Sequence, residues 1–125
     1  MPDVRRNRFR PAQRLRRRGE FEKVYHYRHR FSTKYFVVNY RPNSVGFDRL
    51  GLTVSRKMGG AVRRNRIKRK IRELFRTNRQ GLKPSADLVV RPEKTFLEAQ
   101  HEELQNCWQH ALKSIRRKLT KTNAQ

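Results

Sequence analysis

The sequence predicts an α+β fold, a small two-layer α/β sandwich, on three observations. Two segments rich in β-branched and aromatic residues each stop at a proline, and a third segment alternates with period two. Three further segments place apolar residues at helical spacing. The 125 residues are the size of one domain. They read as a basic arm over 1–18, a folded domain over 19–119 and a short tail over 120–125.

The first helix is predicted from about Gly19 to His29, where Phe21, Val24 and Tyr25 fall on one side. Lys34 to Arg41, ending at Pro42, reads as a strand, and Leu50 to Ser55 as a second. Alternation sends Leu50, Leu52 and Val54 to one face and Gly51, Thr53 and Ser55 to the other, a shallow and open one. After Gly59 and Gly60 comes a helix over about Val62 to Arg79, then a QGLKPS loop, then a strand from Asp87 to Arg91 that Pro92 ends. The last helix is expected to open with Thr95 and Glu98 as a capping box. Leu97, Leu104, Trp108, Ala111, Leu112, Ile115 and Leu119 form its buried stripe.

Net charge is +23 with only 34% hydrophobic residues. Such a balance without patterning belongs to disordered chains; with these patterned segments it points to a polyanionic partner. No apolar run approaches the roughly 18 residues of a spanning helix, so no membrane role is expected. The arginine-rich start lacks an apolar h-region and a cleavage site, and is read as an arm of the mature protein. Cys107 is the only cysteine, which fits a reducing, cytoplasmic setting, and its place beside Trp108 reads as core.

From Arg63 to Arg72, seven of ten residues are basic. Like charges three and four apart oppose helix formation, so this crowding calls for an external anion. Ile67, Ile71, Leu74 and Phe75 share one arc for packing, while Arg64, Lys68, Arg72 and Arg76 run along an adjacent edge with Asn65 and Arg69 beside them. A solvated face normally mixes signs, and here only Glu73 does so. Neither GxGxxG nor GxxxxGK[ST] is present, which argues against a nucleotide loop. Guanidinium forks match phosphate oxygens, and Asn65 adds a donor and an acceptor. On the strand from Lys34, Tyr35, Val37 and Asn39 share a face. An open sheet flanked by an aromatic helix and a basic helix suits an unpaired nucleic-acid strand.

No catalytic constellation emerges. The ten acidic residues form only loose pairs, such as Glu20 with Glu22. His26 and His29 share a helix face in this reading, and a protein-only ribonuclease would have to use them. A ribosomal or other structural RNA-binding protein fits charge and size equally well.

The stretch Leu50 to Phe75, LGLTVSRKMGGAVRRNRIKRKIRELF, resembles the signature of the bacterial ribonuclease P protein subunit, A-V-x-R-N-x-x-K-R-x-x-R-E. The similarity extends to FEKVY at Phe21 to Tyr25, to YFVVNY and to DLVVR. It implies a fold like the second domain of ribosomal protein S5, ordered α-β-β-β-α-β-α with a left-handed β-α-β crossover. It also implies a partner to a catalytic RNA whose Mg²⁺ ions, held mainly by RNA, drive removal of the 5′ leader from precursor tRNA. Carried over by motif, Arg64, Asn65, Arg66, Lys68, Arg69 and Arg72 would contact the catalytic RNA. Phe21, Tyr25, Tyr35, Val37, Asn39 and Lys57 would line the leader cleft, with no catalytic or metal-binding residue on this chain. The chain departs from the family where Asn39 stands in place of a frequent aromatic. Apart from RNA, the protein is expected to be monomeric.

Overall fold

A computed structural model describes residues 11–78, 82 and 85–123. Its elements are α1 (Arg18–Tyr27), β1 (His29–Ser32), β2 (Phe36–Pro42), β3 (Arg49–Leu52), α2 (Ala61–Thr77), β4 (Ala86–Pro92) and α3 (His101–Asn123). One-turn 3-10 segments lie at Pro11–Gln13, Arg56–Met58 and Phe96–Glu98. Residues 1–10 of the expected arm, most of the expected QGLKPS loop and residues 124 and 125 of the expected tail fall outside the described residues.

The strands form one sheet in the order β1-β2-β4-β3. β2 runs antiparallel to both β1 and β4, while β3 and β4 are parallel neighbours joined through α2. The main core lies between one sheet face and α2 with α3. Phe36, Val38 and Tyr40 of β2, Leu88 and Val90 of β4, and Leu50 of β3 meet Ile67, Ile71 and Leu74 of α2. Leu104, Trp108, Ile115 and Leu119 of α3 complete it, with the Trp108 and Phe36 rings 5.8 Å apart. On the opposite face α1 packs a smaller cluster, in which Leu15, Val24 and Val89 are buried with Phe21 against them.

Several sequence expectations change in the structure. The helix α1 ends at Tyr27, because Arg28 adopts a left-handed conformation, φ 60°, and donates its N–H to the Tyr25 carbonyl. His29 therefore opens strand β1, where its ring packs edge-on to Tyr27 and Tyr40. His26 and His29 share no helix face. Thr95 and Glu98 form no capping box: Thr95 Oγ1 donates to the Lys34 carbonyl instead, and the segment around Leu97 is a separate turn. The cap of α3 is Glu103, which accepts from the Gln100 N–H. α3 then runs to Asn123, through the start of the expected tail.

Part of the expected arm, residues 11–17, lies within the described residues. Arg14 bridges to Leu50 in parallel fashion and Leu15 N–H donates to the Leu50 carbonyl, so these two residues lie along the sheet edge at β3. A buried ion pair fixes this corner. Arg49 grips Asp87 in bidentate fashion, Nε to Oδ1 at 2.7 Å and Nη2 to Oδ2 at 2.8 Å, and Asn43 Nδ2 adds a third donor at 2.7 Å. Its Nη1 also reaches Glu20 at 3.5 Å, and Glu20 caps α1 by accepting from the Arg16 and Arg17 N–H groups.

Candidate nucleic-acid interface

Along α2, Ile67, Ile71 and Leu74 are fully buried, which fixes the helix by its apolar arc and turns the charged arcs outward. Asn65, Arg66 and Arg69 are exposed, and Arg64, Lys68 and Arg72 are half-buried. The ladder expected from spacing therefore exists as a surface edge. Near its C-terminal end, Arg76 pairs with Glu73, and this pair holds the Glu73 carboxyl below its ordinary range.

The N-terminal turn of α2 carries no acidic residue, and Gly60 offers no side-chain cap. Cations there oppose the helix dipole. Part of that cost is relieved because Arg63 Nε donates to the Met58 carbonyl at 2.9 Å and Arg64 Nε to the Gly59 carbonyl at 3.1 Å. Val62 is 85% exposed, an apolar side chain that no described residue covers. A helix start of this kind is ready for an anionic partner.

Where α2 approaches the folded end of the arm, Arg14, Arg16, Lys68 and Arg72 line a recess of about 180 Å³ with Leu15, Leu50 and Leu52. No carboxylate is among the lining residues. Partial burial, and then the nearby Arg14 charge, lower the Arg72 pKa from its ordinary value. Cations of one sign brought close together in a part-buried recess repel one another, and a nearby anion would offset that repulsion. No local pattern in the sequence marks Arg14 as a member of this set, since the contact depends on Arg14 lying along β3.

The second surface is the α1 side of the sheet. Pairing sets Asn39 beside Val89 and Val89 beside Gly51, with Val37 beside Arg91 in the next row. Val37 is buried and Asn39 half-buried on this face. Gly51 is not open: a Cβ there would stand 2.7 Å from Phe21 Cζ and 3.1 Å from Leu15 Cβ, so the ring of Phe21 occupies the space that glycine leaves. Tyr25 is exposed and its hydroxyl shares a hydrogen bond with Thr53 Oγ1 at 3.0 Å, which closes one wall. Lys57 is exposed on the turn that follows β3.

Tyr35 does not join Val37 and Asn39. It precedes the first β2 residue and is buried in the main core, where its hydroxyl donates to Glu103 Oε2 at 2.7 Å. That bond raises the Tyr35 pKa and lowers that of Glu103. In its place the register brings Arg91, exposed, onto the α1 face beside Val37. The alternation of Asp87, Val89 and Arg91 against Leu88 and Val90 carried that signal.

Among the described residues, no three of His, Cys, Asp and Glu stand together as metal ligands. The carboxylates of Glu20, Asp48, Asp87 and Glu103 are engaged in hydrogen bonds within the fold.

The family model described as Ribonuclease P matches residues 9–116. The chain is 44% identical over 79 residues to the ribonuclease P protein component of Syntrophus aciditrophicus, covering 63% of this chain and 66% of that protein. To the component from Chromobacterium violaceum it is 45% identical over 97 residues, covering 77% and 79% respectively. The solved structure of the Staphylococcus aureus RNase P protein superposes with a TM-score of 0.74 at 32% identity, over 84% of this chain and 96% of that one.

Proposed function

The chain belongs to the ribonuclease P protein family, protein components of a ribonucleoprotein endoribonuclease that matures tRNA 5′ ends, and from that premise we propose which of its surfaces meets which RNA. The exposed edge of α2 docks on the catalytic RNA through Arg64, Asn65, Arg66, Lys68, Arg69 and Arg72. A backbone phosphate seats in the recess between arm and helix. The cleft on the α1 face holds the single-stranded 5′ leader of precursor tRNA, with Tyr25 and the edge of Phe21 against bases. Lys57 and Arg91 follow the phosphates, while Val37 and Asn39 form the floor. Tyr35 supports this cleft only from behind the sheet.

Two consequences follow from physical chemistry. Gripping a segment that the product lacks favours precursor over mature tRNA by the free energy of that contact. Neutralising crowded phosphates with fixed cations lowers the Mg²⁺ concentration that the RNA requires, Mg²⁺ being expected on RNA and substrate. Neither needs proton transfer by a side chain.

The observation that carries the reading is that Lys68 and Arg72, neither with an acidic partner among the hydrogen bonds and ion pairs of the described residues, line one recess between α2 and the arm. The test is precursor-tRNA cleavage by a bacterial ribonuclease P RNA at limiting Mg²⁺, with intact protein, with a Lys68→Ala, Arg72→Ala variant, and with none. Arg64 is spared because its Nε supports the preceding turn. Cleavage at the mature 5′ end that needs intact protein and RNA together is expected. Full stimulation by the variant would overturn the docking surface, and cleavage by protein alone would overturn the division of labour.

A further inference from the structure

We infer that Arg63 is a positioning residue for the leader cleft, acting through the turn that carries Lys57, and is not itself a docking cation. It stands at the variable x of the A-V-x-R-N signature, and the helix-edge reading leaves it out. Its side chain does not extend away from α2 as Arg66 and Arg69 are free to do. It folds back over Gly59, and Nε donates to the Met58 carbonyl at 2.9 Å.

Gly59 makes this path available. Its φ is +126°, and a Cβ built there would stand 2.5 Å from Arg63 Cδ and 3.4 Å from its Cβ and Cγ. The aliphatic stem of Arg63 fills the place where any other residue would carry its side chain. Around it the Arg56–Met58 turn is closed by two short backbone bonds, Met58 N–H to the Ser55 carbonyl and Gly59 N–H to the Arg56 carbonyl. Arg63 and Arg64 then donate to the carbonyls of Met58 and Gly59, from successive positions of the rigid helix. The turn bearing Lys57 is thus referenced to α2, the element that docks on RNA. A lysine on an exposed turn has many orientations; tying the turn's carbonyls to a helix reduces the entropy lost when it meets a leader phosphate.

This rests on the leader cleft proposed above, and the test keeps the two separable. Holoenzymes reconstituted with wild type, Arg63→Met, Arg63→Gln, Lys57→Ala and the Arg63→Met, Lys57→Ala double variant are compared for affinity to leader-bearing precursor and to mature tRNA. Glutamine keeps an N–H donor at the ε position and drops the charge; methionine keeps the stem and drops the donor. The expected result is a roughly fivefold loss of precursor affinity for Arg63→Met. Mature-tRNA affinity stays unchanged, Arg63→Gln keeps the preference, and the double variant is no worse than Lys57→Ala. Equal losses in Arg63→Gln and Arg63→Met, with weaker binding of catalytic RNA and a shallower salt dependence, would overturn the inference by making Arg63 a phosphate contact. A precursor preference untouched by Arg63→Met would overturn it too, leaving the cleft standing. A wild-type holoenzyme with no preference for precursor would remove the cleft and the inference together.

Discussion

Two groups of charge in this protein stand in contrast. At the corner where arm, α1, β3 and β4 meet, Arg49 is matched by Asp87 and Glu20 within hydrogen-bonding range. Along α2, the Arg64, Lys68 and Arg72 edge faces no acidic partner among the hydrogen bonds and ion pairs of the described residues. The first group answers a structural need, because Asp87 is only 2% exposed and a carboxylate buried so deeply must be paired. On the docking proposed above, the second is a deferred interaction, completed when phosphate arrives. Net charge alone, +23, does not separate the two.

The largest effect that tests this contrast is on stability. Asp87→Ala leaves Arg49 part-buried without its bidentate partner and Asn43 Nδ2 with only the Phe47 carbonyl to accept from it. A loss of about 3 kcal/mol or more is expected in denaturant unfolding of the free protein. Lys68→Ala, Arg72→Ala should change the same measurement by no more than about 0.5 kcal/mol, and a gain is acceptable because Arg72 is desolvated beside Arg14. A large stability loss in the α2 variant would mean that its charges are structural after all.

The next effect is on binding. The same α2 variant should bind catalytic RNA about 10- to 100-fold more weakly. Its dependence of log affinity on log salt should be shallower by about 1 to 2, as expected when two phosphate contacts are lost. An unchanged slope would take Lys68 and Arg72 out of the interface. Refolded Asp87→Ala should retain the wild-type slope, since it removes no phosphate contact.

How far the sequence discloses these two groups differs for physical reasons. α2 was legible because Ile67, Ile71 and Leu74 repeat at helical spacing, and its charged edge follows from the same periodicity. β2 and β4 were legible from β-branched content and closing prolines. β1 was not, because His-Arg-Phe-Ser has weak strand character and follows α1 through a left-handed Arg28, a conformation usually announced by glycine or asparagine; the family resemblance alone supplied a third strand before α2. The Arg49–Asp87 pair joins residues 38 positions apart, and nothing local marks it. Tyr35 was misplaced because strand alternation was extended one residue before β2 begins. Arg91, by contrast, was within reach of that same alternation on β4.

The smallest effect concerns pH, and within the paired group it comes from Glu20. Glu20 has a pKa below the ordinary 4.5, chiefly because it accepts the Arg17 N–H, with the Arg16 N–H and the Arg49 and Arg17 charges adding to the shift against a desolvation cost. A carboxylate with a depressed folded value stabilises the fold above the unfolded value, and that contribution disappears as pH falls through the folded one. Asp48 works in the opposite direction. Desolvation raises its pKa despite hydrogen bonds from the Ala86 and Leu82 N–H groups, so acid stabilises the fold at that site. Because the two shifts oppose one another, Glu20 is best isolated by difference. Glu20→Gln should be less stable than wild type at neutral pH by a fraction of a kcal/mol, and the gap should close as pH falls from about 5 to about 3. A gap constant across that range would show that Glu20 caps α1 by shape and hydrogen bonding without its charge. Lys68→Ala, Arg72→Ala removes no carboxylate, so it should leave the acid limb unmoved and keep the two groups distinct.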